Sequence, residues 1–150
     1  MIKSVLIFLA AVVDAAILTS VVSTQLVLAD IKSFGLTVTF SDRLQTTLHD
    51  LLGLALPLIM LIGLSFLVAF TVARYANRTI GGSKKLWYLA AGFTSVPSAI
   101  VLIKYVMGGT LLASARTPLG MLLVAGCGLA GSWIYVYLNE QFGRWEVEDA

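Results

Sequence analysis

Residues 51–73 read LLGLALPLIMLIGLSFLVAFTVA, a run without a single charged side chain. As an α-helix, a stretch of about 18 or more apolar residues is long enough to cross the roughly 30 Å hydrocarbon core of a bilayer. Three further runs have that length, namely 5–28 (interrupted only by Asp14), 86–103 and 118–138. The sequence therefore predicts an all-α, polytopic membrane protein with four transmembrane helices.

The composition supports this class of protein. Hydrophobic residues make up 59% of the chain, charged residues only 12%, and the mean hydropathy is +0.94. Soluble domains are less apolar and about twice as charged. The four helices use up the length as a single domain (1–150), so no separate soluble domain is expected. The approximate predicted spans are 4–28, 50–73, 86–107 and 117–138.

The distribution of positive charge predicts the orientation in the membrane. The segment 74–85 is a short, strongly basic loop, and short loops are where an excess of Lys and Arg best marks the cytoplasmic side. Both termini are then cytoplasmic, and 29–50 and 108–116 lie outside. The cytoplasmic set of cations is Lys3, Arg74, Arg78, Lys84, Lys85 and Arg144, and the outer set is Lys32, Arg43, Lys104 and Arg116.

The longest loop, 29–50, is predicted to contain two kinds of structure. Apolar residues alternate with small or polar ones over 35–40, which favours a short extended segment. Ser41 then offers an N-cap, with Asp42 in the first turn, where the helix dipole favours an anion. We expect the second helix to start near Asp42, to stand out of the membrane by two turns and to enter it around Leu51.

Small residues in the apolar runs predict close helix packing. Such residues let helix backbones approach one another in membranes, and we favour packing within one bundle over a dedicated dimer motif. Pro57 and Pro97 lie inside apolar runs, where they are expected to kink the helices. The small residues concerned are Gly126, Gly128, Ala130, Gly131 and Ser132 in the fourth run and Gly63, Ser65 and Ala69 in the second.

Asp14 is the most unusual single residue, because helical rise places it near the middle of the bilayer. An ionisable group is unfavourable there and normally faces protein or a water-filled cavity. One interpretation is a proton- or ion-responsive carboxylate or a contact to a partner chain. The other is a protonated acid that is hydrogen-bonded to a facing helix, for instance through Ser95 or Ser98. Lys104 is a candidate counter-charge, although it can also reach water.

A second candidate site is a polar cluster on the outer face, made of Arg43, His49, Asp50 and Arg116. The first three share the protruding start of the second helix, and Arg116 precedes the fourth. Asp50 and Arg116 are at similar depths, so we expect an ion pair that ties the two helix ends together. The alternative function is a small site for an anion or a lipid headgroup.

Several kinds of chemistry find no support in the sequence. The single His49 cannot provide bis-histidine haem ligation, and no cluster of His, Cys or Asp has the spacing of a metal site. Gly81-Gly82 lacks the rest of a phosphate-binding loop. Cys127 is the only cysteine, which excludes an intrachain disulfide. We therefore expect no enzyme and no cofactor, and the net charge of +2 gives no indication of nucleic acid binding.

The stretch DRLQTTLHDLLG (42–53), with Ala115-Arg116-Thr117 before the last helix, resembles an uncharacterised family of small four-helix inner-membrane proteins of Gram-negative bacteria. The resemblance covers most of the chain. It implies the four-helix topology and a location in the bacterial inner membrane, but no activity. Arg43, His49, Asp50 and Arg116 are the positions that match, so the resemblance favours a function on the periplasmic side.

Two classes of function remain open from the sequence. The first is an accessory or interaction subunit of a membrane complex, whose small-residue and polar helix faces are covered by a partner protein. The second is a small homo-oligomeric carrier or channel in which Asp14 faces a shared pathway. We favour the first, because four short helices rarely enclose a pathway and only one carboxylate is buried in the membrane. The expected environment is the lipid bilayer with a protein partner or further copies of the chain.

Overall fold

A computed structural model of the protein describes residues 2–33, 40–107 and 117–142. Within these residues the chain forms four α-helices: α1 (Ile2–Ser33), α2 (Phe40–Ile80), α3 (Lys84–Met107) and α4 (Pro118–Gln141). Each contains a segment that is long and apolar enough to cross a membrane, namely Lys3–Ala29, Leu56–Ile80, Lys84–Tyr105 and Pro118–Gln141. The predicted fold class, an all-α protein with four transmembrane helices, is confirmed.

Helix α2 extends well beyond its apolar span. Its 41 residues measure roughly 60 Å, about twice the thickness of a hydrocarbon core. The helix begins at Phe40, so Ser41 lies in the first turn and does not act as the predicted N-cap. Its apolar spacing explains the earlier start, because Phe40 continues the i, i+4 series back from Leu44. Of the extended segment predicted for 35–40, only Phe40 lies within the described residues, and it is helical.

The predicted basic loop 74–85 is mostly helix, which corrects the sequence-based interpretation. Residues 74–80 contain no glycine or proline and continue α2, so only residues 81–83 separate α2 from α3. Gly81 and Gly82 have φ angles of 76° and 103°, which side chains other than glycine rarely adopt. Gly81 N–H donates to Asn77 O over 3.0 Å, and Trp87 Nε1 donates to Gly81 O over 3.1 Å. These bonds fix a tight turn between the two helices.

The start of α4 follows from local sequence. Thr117 is the N-cap residue and has an extended backbone, and its Oγ1 accepts a hydrogen bond from Gly120 N over 3.1 Å. Pro118 occupies the first helical position, where its missing N–H is not needed. Threonine followed by proline thus predicts the observed boundary.

The four helices pack as an antiparallel ring in which each helix contacts those that adjoin it in sequence, and α1 closes the ring by contacting α4. Helices α1 and α3 therefore occupy opposite corners. An aromatic cluster joins all four helices near the N-terminal end of α1. Phe70 of α2 is at its centre, with ring centroids 4.5–6.2 Å from those of Phe8, Phe66, Tyr88 and Tyr135. We call the opposite end, where α2 extends beyond its span, the protruding end.

Two seams of the ring are closed by small residues. A Cβ added at Gly128 of α4 would collide with Gly92 O of α3 and would lie 2.8 Å from Val96 Cγ2. A Cβ at Gly131 would lie 2.7 Å from Ala15 Cβ and 2.8 Å from Ala11 O of α1. The α3–α4 and α1–α4 seams therefore bring backbones together, as predicted for the fourth run. Gly126 is the exception, because it is exposed and its added Cβ would meet nothing within 4 Å.

Candidate functional site

Asp14 lies at the edge of the α1–α4 seam. Ala15, the next residue, faces Gly131 of α4, and one residue corresponds to about 100° of helix rotation. Asp14 is half-buried, and its Oδ2 is buried without a hydrogen-bond partner within the part of the chain that the structure describes. The carboxylate is therefore neither completely buried within the bundle nor completely exposed on its lipid-facing surface.

Cys127 of α4 is buried and lies on the side of that helix that faces Thr19 of α1. No hydrogen bond of good geometry joins Cys127 to Thr19, since Thr19 Oγ1 has no partner in the described ranges. Sequence reasoning gave Cys127 no role at this site, because a lone cysteine carries no signal of which helix it faces.

The structure does not bring Asp14 together with the partners suggested from the sequence. Ser95 Oγ donates to Gly92 O over 2.9 Å and Ser98 Oγ donates to Thr94 O over 2.7 Å, so both hydroxyls bond within α3. Lys104 is exposed and also lies on α3. Because α1 and α3 occupy opposite corners of the ring, α3 cannot supply the nearest partner.

At the protruding end, α1 and α2 are joined by a small polar cluster. Arg43 Nη1 donates to Gln25 Oε1 over 2.9 Å, and Gln25 Nε2 donates to Thr47 Oγ1 over 3.3 Å. His49 is exposed on the same helix. The predicted ion pair between Asp50 and Arg116 lies outside the described residues, because Arg116 is in the undescribed range 108–116 and only the backbone of Asp50 is described. Gln25 was not singled out from the sequence, where a glutamine near a helix end gives no specific signal.

A long groove runs along the outer surface where α2 packs against α3. It encloses about 640 Å³ and opens to the side of the bundle, where lipid would lie. On α2 it runs from Leu61 to Ala76 and on α3 from Trp87 to Ile103, which corresponds to roughly 22–24 Å along the helix axes. The groove is therefore longer than one leaflet, about half of a 30 Å core, and reaches through most of the membrane.

Rows of small residues line this groove at i, i+4 spacing, which places them on one side of a helix. One row lies on α2 and two lie on α3. Only part of the α2 row was singled out from the sequence. The other rows were visible as spacing, but small residues alone do not tell whether a seam closes or stays open. The rows are Ser65, Ala69 and Ala73 on α2, and Ala90, Thr94 and Ser98 beside Ala91, Ser95 and Ala99 on α3.

The hydroxyl groups in the groove are satisfied by backbone carbonyls. Ser65 Oγ of α2 donates to Ser95 O of α3 over 2.8 Å, the side-chain bond that joins the two groove helices. Thr94 Oγ1 donates to Ala90 O over 2.9 Å, and Ser98 also bonds within its own helix. An apolar partner could therefore cover the groove without leaving these donors unpaired.

Among the described residues, no group of three or more His, Cys, Asp and Glu side chains is arranged to hold a metal ion. Comparisons with protein-family models, with curated proteins and with solved structures found no match. The family resemblance of 42–53 and 115–117 therefore stays a prediction. What the structure adds is a half-buried carboxylate at the α1–α4 seam and an open groove between α2 and α3.

Proposed function

We propose that the protein is a non-enzymatic accessory subunit of a membrane complex, and that the α2–α3 groove takes up one transmembrane helix of the partner protein. The single observation that carries this proposal is the groove itself, a concave surface lined by small residues over most of the thickness of the membrane. Small residues at i, i+4 spacing are the surface that helices use to pack closely in lipid.

The shape of the groove favours a helix over a lipid tail. An acyl chain belongs to one leaflet and would fill only about two thirds of a groove of roughly 22–24 Å, whereas a spanning helix would fill all of it. Large side chains, among them Leu64, Val68 and Leu102, are exposed along the rims. The floor is made of small residues, so the partner would present bulky apolar side chains to it.

A partner of a different kind fits better than a second copy packed face to face. Two copies that presented their α2–α3 grooves to each other would leave the space between two concave surfaces unfilled, and close packing disfavours such voids. The proposed occupant is therefore a helix of another protein, which is what an accessory subunit needs.

Site-directed photocrosslinking in cells tests this proposal. A photoreactive phenylalanine analogue at Thr94, in the groove, should form adducts whose peptides map to a transmembrane helix of a different protein. The same analogue at Leu122, an exposed position on α4 (65% exposed), should label lipid. Ala90→Phe, which fills the groove from an exposed position, should remove the Thr94 adduct, whereas the matched surface change Gly126→Phe should leave it intact.

Three results would contradict the proposal: lipid adducts alone at Thr94, adducts to a second copy of this chain, or a protein adduct that persists in Ala90→Phe. Each would mean that the groove does not receive a helix of another protein.

The proposed location is the inner membrane of a Gram-negative bacterium, with both termini in the cytoplasm and the Arg43–His49 region in the periplasm. Support comes from Arg74, Arg78, Lys84 and Lys85, which lie around one end of the bundle, together with the positive-inside rule. A topology reporter inserted at Ser83, in the turn between α2 and α3, should be active only on the cytoplasmic side. If the reporter at Ser83 is active on the periplasmic side instead, the proposed orientation of the protein in the membrane is reversed.

The alternative function is a small homo-oligomeric carrier or channel, and one observation favours it. Asp14 Oδ2 and the hydroxyls of Thr19 and Ser20 are buried without hydrogen-bond partners in the described residues, as polar groups along a transport pathway would be. Purified protein in liposomes should then conduct an ion flux that Asp14→Asn abolishes. Absence of such a flux, together with a protein adduct at Thr94, would favour the accessory subunit.

A further inference from the structure

Two arginines lie at one end of the outer surface of α2. Arg74 and Arg78 are both exposed, and because they are four residues apart they share one side of the helix, with Cβ atoms about 6 Å apart. Like charges at this spacing repel each other, whereas an anion between them accepts hydrogen bonds from both guanidinium groups. The pair therefore concentrates positive charge on the surface of the bundle, where an anionic ligand is favoured.

The same side of α2 is apolar within the membrane span. Met60 and Leu67 are 66% and 56% exposed, and they precede Arg74 by about four and two helical turns. Thr71 lies on this side as well, and its Oγ1 donates to Leu67 O over 2.7 Å, so the hydroxyl is paired within the helix. We call Met60, Leu67, Thr71, Arg74 and Arg78 the arginine strip. It has a mostly apolar part in the hydrocarbon and a basic end.

The basic end of the arginine strip lies where the membrane span of α1 begins. Phe8 of α1 packs against Phe70 of α2. Since the two helices are antiparallel, Arg74, which follows Phe70 by one turn, is at the level of Ser4. The apolar span of α1 starts at Lys3, which is itself exposed. The two arginines are therefore at the level of the lipid headgroups.

Neither helix carries an acidic side chain at this end of the bundle. The first acidic residue of α1 is Asp14, near the middle of its span, and α2 has none after Asp50. Glu140 belongs to α4, which lies diagonally across the ring from α2, and it pairs with Lys85 over 2.7 Å. The charge that α1 and α2 present at this level is therefore positive, which complements a phosphate group.

We propose that Arg74 and Arg78 bind the phosphate group of an anionic phospholipid whose acyl chain lies along Leu67 and Met60. The planar fork of N–H donors in arginine matches two oxygens of a phosphate group. Basic residues at the end of a membrane span attract anionic lipids, whereas a zwitterionic lipid offsets its phosphate charge within its own headgroup.

The apolar part of the arginine strip favours a lipid over a free anion. Free phosphate needs only the two arginines, whereas a phospholipid also covers Leu67 and Met60. No residue of the strip lines the α2–α3 groove. The lipid therefore does not compete with the helix proposed for the groove, and the site does not depend on what the groove receives.

Photocrosslinking in lipid vesicles tests the proposal. A photoreactive phenylalanine analogue replaces Leu67, and the purified protein is placed in phosphatidylcholine vesicles with a low mole fraction of phosphatidylglycerol of the same acyl chains. We expect phosphatidylglycerol to be enriched in the adducts by at least about fivefold over its share of the vesicle, the effect of roughly one cation near an anionic lipid surface. Leu129 of α4 is 41% exposed in a span without Lys or Arg, and the analogue there should show no enrichment.

Variants of the arginines separate phosphate binding from general attraction. The double variant Arg74→Gln, Arg78→Gln should remove the enrichment at Leu67. The double variant Arg74→Lys, Arg78→Lys keeps the charge but not the planar forks, and it should lose at least half of the enrichment. Lys85→Gln removes an exposed cation of α3 at the same end and, as the matched control, should leave the enrichment unchanged. Circular dichroism checks that each variant keeps its helices.

Two outcomes would overturn the proposal: equal shares of phosphatidylglycerol at Leu67 and Leu129, or an enrichment that persists in the double glutamine variant. Full enrichment in the double lysine variant would overturn the role of the guanidinium forks. Loss of the enrichment on addition of inorganic phosphate would mean that the arginines take a free anion, which would overturn the assignment to a lipid.

Discussion

The α3–α4 seam and the α2–α3 groove are both lined by small residues, yet one is closed and the other is open. At the closed seam, Gly92 and Gly128 face each other, and neither has room for a Cβ. In the groove, the small residues of α2 and α3 line a volume of about 640 Å³. Small residues therefore have two effects in this bundle. At the seam they let helix backbones come together, and in the groove they leave an open concave surface.

The difference lies in what each small residue faces. Gly128 contacts the backbone of the neighbouring helix α3, and this close contact is possible because glycine has no side chain. Ala90, Thr94 and Ser98 face outward and are exposed, although a membrane surface favours large apolar side chains there. The two helices that border the groove are also the two that contain an internal proline, Pro57 and Pro97.

The largest expected effect is at the closed seam. Gly128→Leu places a side chain where even a Cβ would collide with Gly92 O, so the α3–α4 backbones must separate. We expect the free energy of unfolding to fall by at least about 3 kcal/mol, the upper end of ordinary overpacking. Unfolding in mixed detergent micelles, followed by circular dichroism, measures it. Gly126→Leu, two residues away and exposed, is the matched control, and an equal loss there would contradict the assignment.

The second prediction concerns the α1–α4 seam. Gly131→Ala adds a Cβ at 2.7 Å from Ala15 Cβ, and we expect a loss of about 1–3 kcal/mol. Adding Ala15→Gly removes the atom that collides, so the double variant should recover part of the loss, while the contact with Ala11 O remains. The same unfolding measurement gives the coupling energy. Strictly additive effects would mean that the two residues are not in contact.

The sequence was sufficient to predict the number of helices and their class, because the length and charge of an apolar run decide whether it spans a membrane. It also predicted that Gly128, Gly131 and Ser132 pack closely. It did not single out Gly92, the residue opposite Gly128, since the ring order of the helices is needed to know which small residues meet. The predicted helix ends were less accurate. Residues 74–80 were predicted to be a loop because of their positive charge, but they contain no glycine or proline and continue α2.

The candidate sites were predictable only in part. Asp14 was identified because a carboxylate in an apolar run is rare. Its facing helix was not, since Ser95 and Ser98 of α3 were suggested as partners, whereas Asp14 lies at the edge of the α1–α4 seam. The groove was missed because i, i+4 rows of small residues look the same whether the neighbouring helix covers them or not. These features depend on tertiary arrangement, which spacing along one helix does not determine.

The third prediction tests what holds the open groove together. Ser65→Ala removes the hydrogen bond to Ser95 O, which joins α2 and α3 across the floor. We expect a loss of about 0.6 kcal/mol, the average measured for hydrogen bonds between membrane helices, and no more than about 1.7 kcal/mol, the largest value measured. Ser98→Ala, whose hydroxyl bonds only within α3, is the matched control and should change stability less. If the two variants lose the same amount, the Ser65 bond does not join the helices.

The smallest effect is expected at the salt bridge that links α3 to α4. Lys85 Nζ and Glu140 Oε1 are 2.7 Å apart, but the two side chains are 59% and 38% exposed. Water and salt screen such a pair, and ordering two long side chains opposes it, so exposed pairs contribute about 0–1 kcal/mol. Lys85→Ala should therefore lower the free energy of unfolding by less than about 1 kcal/mol, and less still at high salt. A loss as large as that of Gly128→Leu would mean that the α3–α4 seam is closed by charge at its end, and not by glycine contacts along its length.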